Sequence, residues 1–125
     1  MSDVPSLVED DVVEITSTSG QVQKIAIPGY RLMYNKKSKR NKALTLKAMA
    51  QLEWKHFVDG DPTGTKDEIL VEVRAMGSTL GENSANQVLK NINTLIQEGH
   101  VVRRGGSRTP WVTVYVYPAF AAEPA

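Results

Sequence analysis

Residues 84–118, SANQVLKNINTLIQEGHVVRRGGSRTPWVTVYVYP, carry the most regular pattern in the chain. In the first half, apolar residues recur at the spacing i, i+1, i+4, i+7 and i+8, which places them on one face of an α-helix. They are Val88, Leu89, Ile92, Leu95 and Ile96. Residues 84–87 match a capping box, and Gly99 stands where a left-handed residue commonly ends a helix. The stretch therefore predicts an amphipathic helix that ends before Gly99.

The second half of the same stretch predicts a β-hairpin with an arginine-rich loop. Side chains alternate along a strand, so Val112, Val114 and Val116 would point one way. The opposite side would carry Trp111, Thr113, Tyr115 and Tyr117. Residues 105–110, GGSRTP, supply the turn between the two strands.

Two further helices are predicted upstream. From Ala43 to Val58 the apolar residues again fall on one helical face; they are Leu44, Ala48, Met49, Leu52 and Phe57. A capping box from Thr65 to Glu68 begins the second helix, and Gly77 ends it. Its inward residues would be Ile69, Leu70, Val73 and Met76.

The N-terminal part of the chain predicts a short β-hairpin. Val13 and Ile15 lie two positions apart, as do Ile25 and Ile27, which is the period of a strand with one buried face. Residues 17–20, STSG, favour a turn between them, and Pro28 ends the second strand because it cannot donate a ladder hydrogen bond.

The net charge of +1 conceals a strong segregation of charge along the chain. Residues 1–23 hold five acids and no base, whereas residues 24–47 hold eight bases and no acid. Residues 83–108 hold four bases and one acid, Glu98. Two separate basic segments in a nearly neutral chain indicate a surface that binds a polyanion.

The densest basic segment is residues 36–42, KKSKRNK, with five bases in seven residues. We expect it to be extended or mobile and to lie on the phosphates of a nucleic acid, where each neutralised phosphate adds salt-dependent affinity. The alternative is that it neutralises the acidic residues 1–23, in the same chain or in a dimer partner.

Several classes of function lack support in the sequence. The chain has no cysteine, and its two histidines, His56 and His100, lack the spacing of a zinc site. The turn that begins DGDPTG at Asp59 fails as a calcium loop, because its twelfth position is Leu70 and not glutamate. No phosphate-loop, dinucleotide-binding or serine-hydrolase motif occurs. We therefore predict no enzyme activity, catalytic residue, metal, cofactor or small-molecule substrate.

The chain also lacks an apolar run long enough to cross a membrane, and it does not begin with a secretory signal. The expected location is the cytoplasm, and the nucleoid if the source is bacterial.

The order of two helices, a polar-faced third helix, Gly99 and a basic hairpin resembles the winged helix-turn-helix family of DNA-binding domains. The sequence VLKNINTLIQEGHVVRRGG, which begins at Val88, is similar to that family's third helix and wing. There, a leucine-containing helix ends in an acid–glycine pair and a basic strand follows. The resemblance covers about residues 42–118 and departs from the family in the long turn at residues 77–83.

This resemblance implies an α+β fold of three helices and a C-terminal β-hairpin wing, with the N-terminal β-hairpin as an extension. The chain would then divide into four parts. These are an acidic segment with the hairpin (1–28), a basic connector (29–41), the winged-helix domain (42–118) and a tail (119–125). The ending VTVYVYPAF and the β-containing lead also resemble plasmid replication proteins that carry such a domain.

The polar face of the third helix has the chemistry of a DNA reader. Asn and Gln can pair with adenine in the major groove, and Lys can reach guanine or phosphate. Solvent-facing helices usually carry Glu and Lys pairs, yet no acid occurs between Asn83 and Gln97. The predicted DNA-binding residues are Ser84, Asn86, Gln87, Lys90, Asn91 and Thr94 in the helix, Arg103, Arg104, Ser107 and Arg108 in the wing, and Lys36, Lys37, Lys39, Arg40 and Lys42 in the basic segment.

The leading hypothesis is a sequence-specific double-stranded DNA-binding protein that regulates transcription as a homodimer. A second hypothesis, in the same class, is a replication or partition initiator of a plasmid or phage. A third is a winged-helix module that docks on another protein through the acidic N-terminus or the hydrophobic strand at residues 111–117.

Overall fold

The structure is a computed structural model of the 125-residue chain, and it describes residues 11–59, 65–103 and 111–113. The fold is α+β, as predicted. In chain order the elements are β1 (Val12–Thr16), β2 (Val22–Ala26), α1 (Tyr30–Asn35), a 3-10 turn (Lys37–Lys39), α2 (Arg40–Asp59), α3 (Lys66–Ala75), α4 (Ala85–Gln97), β3 (Val101–Arg103) and β4 (Trp111–Thr113).

The predicted N-terminal hairpin is confirmed. β1 and β2 pair antiparallel, with Val13 opposite Ile25. Val13, Ile15, Ile25 and Ile27 are buried in the same apolar core as the helices. The hairpin is therefore part of the folded core, even though the sequence prediction placed it outside the minimal domain.

Hydrogen bonds from α2 hold this hairpin in place. The indole N–H of Trp54 donates to the backbone oxygen of Gln21 at 2.8 Å. At the end of α2, the Asp59 carboxylate accepts hydrogen bonds from the N–H groups of Thr18 and Ser19 and from the Ser19 hydroxyl, the last at 2.7 Å. These hydrogen bonds join the C-terminal half of α2 to the turn of the hairpin.

A second network joins three elements. The side-chain oxygen of Gln51 in α2 accepts from the N–H of Thr16 in β1 at 3.0 Å, and its amide N–H₂ donates to Glu72 in α3. Glu72 also accepts from the ammonium group of Lys55 at 3.0 Å, with both side chains largely shielded from solvent. The Glu72 carboxylate is largely shielded from water, and its hydrogen bonds to Gln51 and Lys55 offset the cost of burying its charge.

The basic segment is not extended, so the extended conformation expected from the sequence is wrong. Residues 37–39 form a 3-10 turn, and α2 begins at Arg40, three residues before the predicted start. Arg40 stabilises this arrangement: its Nε–H donates to the backbone oxygen of Tyr34 at 2.9 Å, and its guanidinium lies 5.0 Å from the centre of the Tyr34 ring.

The short helix α1 was also not predicted. Its first turn is capped from a distance, because the buried carboxylate of Asp11 accepts from the N–H groups of Gly29 at 2.9 Å and Arg31 at 3.1 Å. An aspartate at a helix N-terminus satisfies free N–H groups and favours the helix dipole. The partner lies 18 residues from Gly29, so local sequence does not reveal it.

The three longer helices enclose the core. Leu46, Ile69, Val73, Ile92 and Leu95 are all at most 2% exposed. The capping box at α3 is confirmed, because Thr65 and Glu68 exchange both hydrogen bonds. Gly77, predicted to end this helix, has φ 90°, a conformation that L-residues with a side chain rarely adopt.

Two local predictions for the helices are wrong. Phe57 was placed on the inward face of α2, but it is 53% exposed and stacks on Trp54 with ring centres 5.7 Å apart. At α4, Ser84 is the N-cap residue but its side chain makes no capping hydrogen bond. Its backbone, at φ −101° and ψ 26°, lies outside the β region in which a cap side chain turns back over the first helical turn.

The end of α4 and the strands that follow agree with the prediction. Gly99 has φ 88°, and the N–H of His100 donates to the oxygen of Leu95 at 2.9 Å, which closes the helix with a Schellman motif. β3 and β4 pair antiparallel, with Val101 opposite Thr113. Arg104, the predicted loop at 105–110 and the rest of the final strand lie outside the described residues.

A carboxylate of α2 fixes β4. Glu53 accepts from the N–H of Thr113 at 2.8 Å, and its other oxygen lies 3.2 Å from the Thr113 hydroxyl. Thr113 is 1% exposed, so this contact forms inside the fold. None of the helices in the described ranges is long and apolar enough to cross a membrane.

Candidate nucleic-acid interface

The two sides of α4 differ sharply in burial and chemistry. Val88, Ile92 and Leu95 are fully buried, whereas Asn86 and Lys90 are exposed. Leu89 and Ile96, also assigned to the apolar stripe, are only partly buried at its margins. α4 contains no acidic residue and one base.

Six predicted DNA-binding residues lie on or beside the outward face of α4, and they differ in exposure. Asn86, Gln87 and Lys90 are exposed, whereas Ser84, Asn91 and Thr94 are half-buried. The Asn91 amide donates to the Thr45 hydroxyl of α2 at 3.4 Å and accepts from Gln87 at 3.4 Å. Asn91 therefore lies at the edge of the face, and Asn86, Gln87 and Lys90 are the side chains best placed to meet a ligand.

Lys66 is a functional candidate that the sequence analysis missed. It is the first residue of α3, and its ammonium group lies 3.3 Å from the side-chain oxygen of Asn86. Its charge thus adjoins the start of α4. A base directly after a capping threonine was the signal available in the sequence, but its neighbour lies 20 residues away.

The wing residues are only partly described. Arg103, at the end of β3, is exposed and pairs in register with Trp111. Arg104, Ser107 and Arg108 lie outside the described residues, so their place relative to α4 stays a prediction.

The cations of the basic segment differ in exposure. Lys36, Lys37, Lys39 and Arg40 are exposed, but Lys42 is buried and its ammonium group binds the Glu98 carboxylate at 2.7 Å. Lys42 is thus already paired with the residue that follows α4, and a phosphate would have to displace Glu98 to reach it. The other four cations are exposed to solvent.

His100, beside this ion pair, is electrostatically perturbed. Burial lowers the pKa of His100 below its ordinary value of 6.5; Glu98 opposes the shift and Lys42 adds to it. The unfolded chain therefore binds more protons than the folded chain as the pH drops through 6.5. The stability linked to His100 is present above pH 6.5 and is lost as the pH falls towards the pKa of the folded state.

We expect an NMR titration of the folded chain to place the midpoint of the His100 imidazole below 6.5. His100→Gln should remove this contribution, so its free energy of unfolding should fall less between pH 7.5 and pH 5 than that of the unmodified chain. A midpoint at or above 6.5 in the folded chain would contradict the burial seen here.

No group of three potential metal-ligating side chains occurs within the part of the chain that the structure describes. Comparison of the sequence with protein-family models and curated proteins, and of the fold with solved structures, finds no match.

Proposed function

We propose that the chain is a sequence-specific double-stranded DNA-binding protein of the winged helix-turn-helix type, acting as a homodimeric transcriptional regulator. In this proposal α3 and α4 form the helix-turn-helix and β3 and β4 form the base of the wing. The observation that carries it is α4, a helix buried on one side whose other side is polar, exposed and free of acids.

The dimensions of α4 suit the major groove. Thirteen residues at a rise of about 1.5 Å each give a helix of about 20 Å, and the groove is about 12 Å wide. Asn86 and Gln87 lie in its first turn, where recognition helices of this kind contact base edges. Their amides offer paired donors and acceptors that can distinguish adenine, and Lys90 can reach guanine or phosphate.

Cations beside this face would supply contacts to the DNA backbone. Lys66 adjoins Asn86 at the start of α4, and Arg103 projects from the strand that follows the helix. Phosphate contacts fix the position of a protein on DNA without reading sequence, whereas groove contacts provide specificity. A second copy of the chain would double both sets of contacts and read a two-fold symmetric site.

The test begins with selection of a preferred duplex from a random pool by the full chain. On that duplex, Asn86→Ala and Gln87→Ala should each lose about 1–3 kcal/mol of discrimination against random DNA, because each removes a base contact. Affinity for random DNA should change little. Gel-shift titrations of both duplexes measure the two effects separately.

Asn35→Ala is the matched control, since Asn35 is an exposed amide at the end of α1, outside the proposed helix-turn-helix. It should leave both affinities unchanged. If the Asn86 and Gln87 variants bind the selected duplex as well as the control does, α4 does not read the sequence.

A further inference from the structure

A cleft of about 410 Å³ lies between α1, the 3-10 turn, the first turn of α2 and the residue that follows α4. Its walls include Leu32 and Met33 of α1, and Lys36, Lys39, Lys42 and Glu98. This volume falls in the range of small-molecule sites in proteins, about 300–1,000 Å³.

The cleft has an excess of positive charge. Three lysines and one glutamate line it, and the Glu98 carboxylate is paired with the Lys42 ammonium group at 2.7 Å. Lys36 and Lys39 are exposed, and no side chain in the described ranges pairs with them. Two exposed cations in the wall of one small volume, without an acidic partner among the described residues, favour an anion there.

The remaining wall is apolar. Leu32 is 75% exposed, and the buried Met33 of the same helix also lines the cleft, so apolar side chains share it with the lysines. A bare inorganic ion would leave this surface in contact with water. A ligand with an anionic group on a short hydrocarbon part would satisfy both kinds of wall.

The cleft is also connected to the end of α4. Glu98 directly follows this helix, and its N–H donates to the oxygen of Thr94 at 2.9 Å. An anion at Lys42 would compete with the Glu98 carboxylate. Glu98 lies twelve residues beyond Asn86, about 18 Å along the helix, so the cleft is separate from the proposed DNA-reading residues.

We propose that this cleft binds a small organic anion, a carboxylate or phosphate ester with a short apolar part, and that the bound anion competes with Glu98 for Lys42. This anion site goes beyond the proposed function and does not depend on it.

Isothermal titration of the full chain with phenyl phosphate, without DNA, tests the site. We expect saturable binding, with benzoate also bound, benzamide not bound, and inorganic phosphate at least about tenfold weaker because it lacks the apolar part. Binding of inorganic phosphate as tight as that of phenyl phosphate would overturn the proposal, as would no binding of phenyl phosphate.

The double variant Lys36→Ala/Lys39→Ala should weaken the binding of phenyl phosphate by at least about tenfold, since it removes two exposed cations from the cleft. Lys24→Ala/Lys37→Ala is the matched control: it removes the same charge from two exposed lysines that do not line the cleft, and should bind as the unmodified chain does. Equal losses in the two double variants would overturn the site.

Two other occupants would be distinguished by the same measurements. A random DNA duplex that displaces phenyl phosphate would show that nucleic-acid phosphate occupies the cleft. The chain's own acidic residues, of which residues 1–23 hold five, are the other competitor because of their charge. Asp3→Asn/Glu9→Gln/Asp10→Asn should bind phenyl phosphate as the unmodified chain does. Tighter binding by this variant would show that these residues occupy the cleft, and this result or displacement by DNA would overturn a small organic anion as its occupant.

The failure of this proposal and the failure of the proposed function give different results. Phenyl phosphate that binds to a chain without DNA affinity would leave the anion site standing and remove the DNA-binding function. DNA binding by a chain that does not bind phenyl phosphate would leave the proposed function standing and remove the anion site.

Discussion

Ile92→Ala is expected to lower the free energy of unfolding by about 2–4 kcal/mol, because it removes buried methyl and methylene groups and leaves a cavity. Ile92 is fully buried at the centre of the apolar stripe of α4, between Val88 and Leu95. The loss is a large share of the ~5–15 kcal/mol by which a domain of this size is stable. Urea denaturation monitored by circular dichroism measures it.

Lys90→Ala is the matched control on the opposite face of the same helix. Lys90 is exposed, and its replacement should cost less than about 0.5 kcal/mol. Equal stabilities of the two variants would show that α4 does not pack as described. The assignment of a core face and a DNA-reading face would then fail together.

The second large effect concerns salt. If contacts to about five phosphates hold the chain on duplex DNA, log affinity should fall against log salt concentration with a slope of about −4 to −5. Between 50 and 200 mM salt the affinity would then drop by about 250-fold to 1,000-fold. Fluorescence anisotropy of a labelled random duplex over this range gives the slope.

The change in this slope in single variants shows which cations contact phosphate. Lys66→Ala and Arg103→Ala should each reduce its magnitude by about 0.9 if each residue neutralises one phosphate. Lys24→Ala, an exposed lysine on β2, should not change it. An affinity that stays constant between 50 and 200 mM salt would leave the proposed function without its electrostatic basis.

Local sequence determined much of the fold. The helical spacing of Val88, Ile92 and Leu95 predicted α4, and all three side chains are buried. The exchange of hydrogen bonds between Thr65 and Glu68 fixed the start of α3. These features depend on residues within one or two helical turns of each other, so the periodicity of the sequence reports them directly.

The partners of single side chains could not be predicted in this way. Lys42 belonged by sequence to an exposed basic segment, yet it is buried against Glu98, 56 residues away. Phe57 had the spacing of a core residue, but it lies at the surface and stacks on Trp54. In both cases the tertiary fold decided whether the side chain is buried. The local spacing of residues does not contain this information.

The sequence by itself determined that this chain has a helix with an apolar face and an acid-free polar face, a basic segment, and hairpins at both ends of the helical region. Only the tertiary structure decided which of its cations are exposed. Asp11 caps α1 from 18 residues away and Arg40 holds Tyr34, so the basic segment folds into a turn. The physical reason is that hydrogen bonds and ion pairs form between groups that folding brings together, and burial then determines which charges must be paired.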